Sequence, residues 1–281
     1  MFRCQDFNYA VFGNPINHTK SPVIHKFFSE QTNIFHPYKA VHVPLNSLYS
    51  YLRFFFKSNG CGANITAPFK QEARFFCNQL TKRAQIAQSV NTLKKLDNQE
   101  ILGDNTDGIG LLSDLKRLNF IKKRYSILIL GAGGVVRGIL FPLLSFGCSV
   151  YILNRTIKNA EKLVSQFNQY GDIRVLKENT SKIEYFDLII NARTNISEET
   201  YNIIPSSFFC LKNTHFYDVN YQKNNSCFIK WCIHIGANFF SDGIGMLVFQ
   251  AAHSFFLWHN IMPDIDCVID ILKKAHSFEK K

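Results

Sequence analysis

Three groups of residues in this chain have types and spacings suited to chemistry. The first is Gly131-Ala132-Gly133-Gly134, which follows the apolar run 127–130 and precedes a helix-like stretch over 135–146. A strand, a glycine turn and a helix start bring bare backbone N–H groups and a positive dipole end to one point, where a pyrophosphate binds well. Glycines suit that point because a side chain would hold the phosphate off the backbone. The dinucleotide fingerprint asks for a third glycine where this chain has Val136, so a turn in some other α/β protein is also compatible with these residues.

The second group is Asn154-Arg155-Thr156, at the end of an expected strand over 148–153 and twenty residues beyond Gly134 by the numbering. An NAD-binding fold usually has an acid here to grip the ribose 2′-hydroxyl. A neutral Asn followed by an Arg repels nothing and suits a 2′-phosphate, which favours NADP. A plain surface arginine is the other reading of Arg155. The third group lies earlier. Thr19 and Ser21 flank an expected helix start at Ser21-Pro22, a cradle for a small carboxylate or simply a capping turn. Asn64 and Thr66, on an extended stretch, converge with Lys70 on a ligand, or Lys70 faces solvent. Asp104 and Asp107 are also readable as turn formers.

These groups need elements to hold them. The first part of the chain reads as strands at 9–13, 38–43 and 89–93, with a further short strand after Gly60 and Gly62. A helix is expected to start at Ser21-Pro22, with Ser21 as its cap and an apolar stripe through Phe28, and others over 47–56, 70–77 and 108–118. Beyond 125, strands at 127–130, 148–153, 173–176, 186–191 and 216–219 alternate with helices, the last strand being 216–219. That alternation predicts a doubly wound, mostly parallel sheet of the Rossmann type. Two helices close the chain, over 246–258 and 264–276, with His253 read as a core residue on the first. The boundaries expected are 1–105, 106–237 and 238–281, in an α/β chain of two domains.

Composition bounds the rest. A length of 281 residues suits two domains, and 46% hydrophobic with 19% charged residues describes a soluble globular protein. No basic-then-apolar leader and no apolar run of about 20 residues is present, so a cytoplasmic location with no membrane partner is expected. Eight cysteines without a CxxC pair read as reduced, mostly buried thiols, not as disulfides or metal ligands. The net charge of +11 is spread: 12 basic against 6 acidic residues in 1–105, 16 against 10 in 106–237, and 4 against 5 beyond. That distribution argues against nucleic acid and for a field that attracts anionic small molecules.

The chain resembles the shikimate dehydrogenases. The likeness rests on Phe-Gly-Asn-Pro-Ile-x-His-x-Lys-Ser-Pro at 12–22, Gly-Ala-Asn-Ile-Thr-x-Pro-Phe-Lys at 62–70 and Val-Asn-Thr at 90–92. Gly-Asp-Asn-Thr-Asp-Gly at 103–108, Gly-Ala-Gly-Gly at 131–134, Asn-Arg-Thr at 154–156 and Gly-Met-Leu-Val-x-Gln-Ala at 245–251 complete it. The resemblance implies NADPH-dependent reduction of 3-dehydroshikimate to shikimate on the route to aromatic amino acids. It implies a substrate domain, 1–105 with the C-terminal helices, and an NADP domain, with the active site in the cleft between them. By matched position Lys70 is the catalytic lysine and Asp107 its partner. Thr19, Ser21, Thr66, Asn91, Tyr221 and Gln250 match substrate contacts. Gly131, Ala132, Gly133, Gly134, Val135, Asn154, Arg155, Thr156, Lys158, Asn159, Val219 and Gly243 match cofactor positions.

The implied chemistry is self-consistent. Hydride arriving at a ketone leaves an oxyanion, which Lys70 as ammonium both stabilises and protonates, so no metal is needed. Departures from the family cluster on the cofactor side. Val135 and Val136 stand where smaller residues are usual, Asn159 where a second phosphate-binding arginine is common, and Arg193-Thr194-Asn195 in place of a small-residue loop. They motivate an alternative, an NADP-binding sensor with weakened catalysis. A quinate-tolerant dehydrogenase is a third reading, and the assembly expected is a monomer or homodimer.

Overall fold

The structure, a computed structural model, describes residues 7–176, 185–193, 197–221 and 225–278. The first stretch runs β1 (Tyr9–Gly13), α1 (Ser21–Thr32), β2 (Tyr38–His42), α2 (Leu48–Lys57) and β3 (Gly62–Ile65). It continues with β4 (Gln79–Leu80), α3 (Lys82–Ala87), β5 (Thr92–Lys95), β6 (Ile101–Asp104) and α4 (Asp107–Arg117). Then come β7 (Ser126–Leu130), α5 (Gly134–Phe146), β8 (Ser149–Leu153), α6 (Ile157–Phe167), β9 (Ile173–Val175) and β10 (Leu188–Asn191). The chain closes with β11 (His215–Asp218), α7 (Cys227–His234), β12 (Phe239–Ser241), α8 (Ile244–His259) and α9 (Ile265–Phe278).

These elements divide into two compact units, one within Met1–Gly110 and Val248–Leu272, the other within Leu111–Leu247 and Lys273–Lys281. The first holds a six-stranded sheet in the order β2-β1-β3-β5-β6-β4. β1 pairs in parallel with β2 and β3, and β5 is antiparallel to both its neighbours. β1 and β3 are buried along their whole length, as apolar runs in a sheet interior should be. Phe12, Phe28, Phe55 and Phe255 are among its fully buried side chains. Trp258 of α8 lies over β3: its indole N–H donates to the Leu93 carbonyl at 2.9 Å, and a Cβ on Gly62 would sit 2.3 Å from Nε1. Only glycine fits beneath that ring.

The second unit has a six-stranded sheet in the order β12-β11-β10-β7-β8-β9, every pairing parallel. Numbered within the unit this is the 3-2-1-4-5-6 type of order found in doubly wound dinucleotide folds, with β7 at the point where the winding reverses. Ligands in such sheets bind outside the carboxyl ends of the strands at that point. Its apolar core gathers Phe186, Phe216, Phe228, Trp231 and Cys232 around Leu128 and Ile189. No helix among the described residues is long and apolar enough to cross a membrane.

Several expected elements are corrected. The helix expected over 70–77 is a turn followed by a 3-10 helix, Ala73–Phe76, because the Lys70 carbonyl accepts from Val90 N–H at 2.8 Å instead of a helical donor. The strand expected at 89–93 begins only at Thr92, since the Ser89 carbonyl takes the Asn105 side chain. The strand at 215–218 is not the last: β12 follows, and its exposed edge residues give no alternating pattern. Ser21 is not the cap of α1. Lys20 holds that position, and Thr19 Oγ1 receives the Ser21 N–H at 3.3 Å. Of the seven cysteines described, all free, only Cys148 and Cys232 are buried, so the thiols are not mostly interior.

Candidate functional site

In the first unit the Lys70 ammonium donates to Asp107 Oδ2 at 2.6 Å, with side-chain exposures of 15% and 5%. Lys70 comes from the turn after β3 and Asp107 from the first residue of α4. Neither plainer reading survives: the lysine is paired, and the aspartate is not only a turn former. Asn91 holds the other carboxylate oxygen, its Nδ2 donating to Asp107 Oδ1 at 2.9 Å. The Asn91 amide can face only one way, because Thr106 N–H donates to its Oδ1 at 2.8 Å and a carboxylate only accepts. Its Nδ2 also reaches Gln250 Oε1 on α8 at 3.3 Å. Lys70, Asp107, Asn91 and Gln250, named from separated motifs, thus form one hydrogen-bonded group.

Behind them lies a buried polar layer that the sequence pattern does not announce. Asn64 Nδ2 donates to the Asn91 carbonyl at 3.1 Å, to Thr92 Oγ1 at 3.1 Å and to Ser254 Oγ at 3.0 Å. Its Oδ1 accepts from the Tyr38 hydroxyl at 2.7 Å. Burial raises the Tyr38 pKa well above its usual value, opposed by a hydrogen bond from Ser21. Thr19 and Ser21, whose hydroxyls are 3.1 Å apart, are therefore tied through Tyr38 and Asn64 towards Asn91. Thr66 stands just past β3, with its methyl group where a Cβ on Gly13 would be.

Three histidines back this layer. His36 Nδ1 is 2.9 Å from His259 Nε2, and His36 Nε2 is 3.1 Å from His25 Nδ1. The His25 ring stacks on Tyr38 at 4.1 Å. Burial, then the charge of His259, lowers the His25 pKa to about 3, and His36 is lowered by burial and by its two neighbours. His259 is lowered as well, by burial and then by Lys94, so all three favour the uncharged form. Their positions, 25, 36 and 259, carry no shared sequence signal, so the stack is visible only once folded. His253, read as core, is half-buried; burial, then Arg83, lowers its pKa to about 4.

In the second unit Gly131, with φ +114°, ends β7 and opens the turn. Apart from the glycine itself, its chain neighbours and the helix's own nearby backbone, no described heavy atom lies within 4 Å of a Cβ built on Gly133 or Gly134, and among the described residues no side chain caps α5 at Gly133. This open space over uncapped helix-start N–H groups fits a pyrophosphate, and so the cofactor expected from the sequence. Val136 is fully buried, so its bulk lies in the core and not over the turn, while Ala132 and Val135 are half-buried at its rim. Asn154 is half-buried at the end of β8 and bonds the Thr156 carbonyl at 2.9 Å; Arg155, Lys158 and Asn159 are exposed. Gly243 packs with its would-be Cβ 2.4 Å from the Val219 carbonyl oxygen, a close approach only glycine permits. Tyr221 follows β11, half-buried, in this same unit. Of the altered loop, Arg193 is described, whereas Thr194 and Asn195 lie outside the described residues.

An open glycine turn on a doubly wound sheet, with a lysine–aspartate pair elsewhere in the same chain, defines a dinucleotide-dependent dehydrogenase of the two-unit α/β class. Family models match it in three places: the shikimate dehydrogenase substrate binding domain over residues 11–93, shikimate / quinate 5-dehydrogenase over 115–204, and the shikimate 5′-dehydrogenase C-terminal domain over 243–273. The chain is 66% identical over 275 residues to a shikimate dehydrogenase (NADP(+)) of Buchnera aphidicola subsp. Acyrthosiphon pisum (strain Tuc7), covering 98% of this chain and all of the relative. A namesake from Buchnera aphidicola subsp. Baizongia pistaciae is 50% identical, over 93% and 94% of the two chains. The shikimate 5-dehydrogenase of Thermus thermophilus, solved with NADP(H) and shikimate, superposes with a TM-score of 0.82 at 29% identity, covering 95% of this chain and 98% of that one. This chain belongs to the shikimate dehydrogenase family.

Proposed function

We propose that the chain catalyses the reversible, NADPH-dependent reduction of 3-dehydroshikimate to shikimate. The observation that carries this reading is the 2.6 Å Lys70–Asp107 pair, fixed on its far side by Asn91. NADPH, when bound, supplies the hydride; Gly131, Ala132, Gly133, Gly134 and Val135 would hold its pyrophosphate, and Asn154, Arg155, Thr156 and Lys158 its 2′-phosphate. Asn159, Val219 and Gly243 complete the lining in this reading. Lys70 donates the proton that the reduced carbonyl oxygen needs, and its positive charge stabilises that oxygen beforehand. Asp107 keeps the ammonium oriented and accepts a hydrogen bond from a substrate hydroxyl. Thr19 and Ser21 turn their hydroxyl hydrogens to the substrate carboxylate. Thr66, Asn91, Tyr221 and Gln250 serve the ring hydroxyls, where an amide supplies both donor and acceptor.

The intact Lys70–Asp107 pair speaks against a sensor without catalysis. A cytoplasmic setting fits seven free cysteines, and a monomer or homodimer fits the size of the chain. One spectrophotometric assay crossing shikimate and quinate with NADP and NAD tests the whole reading. The expected result is turnover of shikimate with NADP, at least about tenfold more efficient than with NAD. Cofactor binding without turnover of shikimate would sink it, and faster turnover of quinate would reassign the substrate.

A further inference from the structure

Asn159 occupies the place where the resembled family commonly has its second arginine, which leaves the exposed Arg155 and Lys158 to meet the 2′-phosphate. Arg193 lies where it can make good that loss. It stands two residues beyond the end of β10, and its Nη2 donates to the carbonyl of Leu153, the last residue of β8, at 3.3 Å. Asn154 and Arg155 follow immediately. On its way the side chain passes the mouth of β7, where a Cβ on Gly131 would be 3.4 Å from Arg193 Cγ. β7 lies between β10 and β8 in the sheet, so the guanidinium spans the winding-reversal point.

The backbone of Arg193 is held at both its donor and its acceptor. Its N–H donates to Asn191 Oδ1 at 3.2 Å, and its carbonyl accepts from Asn220 Nδ2 at 2.7 Å and Asn191 Nδ2 at 3.3 Å. Both amides also donate to Asp218 Oδ1, at 2.9 and 2.8 Å, and Asp218 is fully buried. Burial raises the Asp218 pKa, and hydrogen bonds from Ser226, Asn220 and Asn191 oppose the rise. This anchor fixes the root of the side chain, which lowers the entropy lost when its head engages a ligand.

The head itself is under-used. Among the described residues the Arg193 guanidinium makes that one hydrogen bond and no salt bridge, although arginine offers five donors. Burial lowers its pKa; Tyr201 opposes the shift, and the cation of Arg155 adds to it. Two cations that feel each other, one half-buried and the other exposed, favour a divalent anion between them. A planar guanidinium grips a phosphate in bidentate fashion, which a lone hydroxyl cannot reward equally.

We propose that Arg193 joins Arg155 and Lys158 as a further, half-buried cationic ligand of the cofactor's 2′-phosphate and is a determinant of NADP specificity in this chain. The assignment rests on the cofactor reading given above. It is tested by calorimetric titration of the full chain with adenosine 2′,5′-bisphosphate and, in parallel, adenosine 5′-monophosphate. Arg193→Ala is expected to weaken the bisphosphate by about 10- to 100-fold and the monophosphate by less than about threefold. Arg193→Lys, which keeps the charge but not the fork, should fall between. Equal weakening of both probes, or no weakening of either, overturns the proposal. A wild-type chain that turns over shikimate with NADP while Arg193→Ala binds the bisphosphate normally sinks this inference alone. A wild-type chain that binds no bisphosphate and turns over no shikimate sinks the functional reading with it.

Discussion

The two units meet the same problem, holding a polar ligand in a protein interior, with opposite materials. In the first, buried side chains would form the receptor proposed: Asn64, Asn91, Thr92, Thr106, Asp107 and Ser254 are all buried and joined in one hydrogen-bonded network. In the second, on the cofactor reading proposed above, the absence of side chains at Gly131, Gly133 and Gly134 would form it, and backbone N–H groups would do the binding. The difference follows from the ligands proposed. A small hydroxylated acid must be told apart from its analogues hydroxyl by hydroxyl, which needs fixed donors and acceptors of known polarity. A pyrophosphate needs only charge and close approach.

The largest effect expected in either unit comes from the first. Lys70→Ala should cut turnover by roughly 10²- to 10⁴-fold while shikimate affinity changes little, read from steady-state kcat and KM. Near-normal turnover would leave the polar layer a structural feature and erase the contrast. The glycines sharpen it from the other side. Gly243→Ala forces a Cβ to within 2.4 Å of the Val219 carbonyl oxygen, so it should lower stability by about 1–3 kcal/mol, seen as a drop in melting temperature. Gly134→Ala meets nothing within 4 Å, so melting should hold or rise while NADP affinity falls by about tenfold or more. Equal loss of stability in both variants would make the turn a packing feature and not a cradle.

The smallest effect tests the histidine stack. His25, neutral when folded with its pKa lowered from 6.5 to about 3, binds a proton more readily once unfolded. Its contribution is fully present above pH 6.5 and is lost as pH falls from there towards 3. Denaturant unfolding at about pH 7.5 and about pH 5 should show this slope reduced in His25→Gln. His36, His259, His253 and His215, each lowered chiefly by burial, add to the same slope. An unchanged slope would remove His25 from the account.

Much of this was legible beforehand where local rules suffice. The run 127–130, the glycines after it and the apolar stretch beyond specify β7, its turn and α5 almost residue by residue, because burial on both faces and backbone geometry leave few alternatives. Lys70 and Asp107 could be named through a resemblance, but their meeting could not be read from spacing, since 37 positions of chain separate them. Tyr38, Ser254 and the three histidines carry no sequence signal for the same reason: each is an ordinary residue on its own element. Arg193 read as a departure from the family pattern. Its hydrogen bond to Leu153 depends on β10 and β8 flanking β7, which is a fact of sheet order and not of sequence.

The chain has two tryptophans, and they fall one to each unit: Trp258 over β3, Trp231 in the core of the parallel-sheet half. Each is almost wholly shielded from solvent. Replacing either by phenylalanine leaves a single fluorophore reporting on one half alone. Emission from the two variants, followed through the same denaturant series, would show whether the halves melt together or in succession. The protein carries its own optical labels for that experiment.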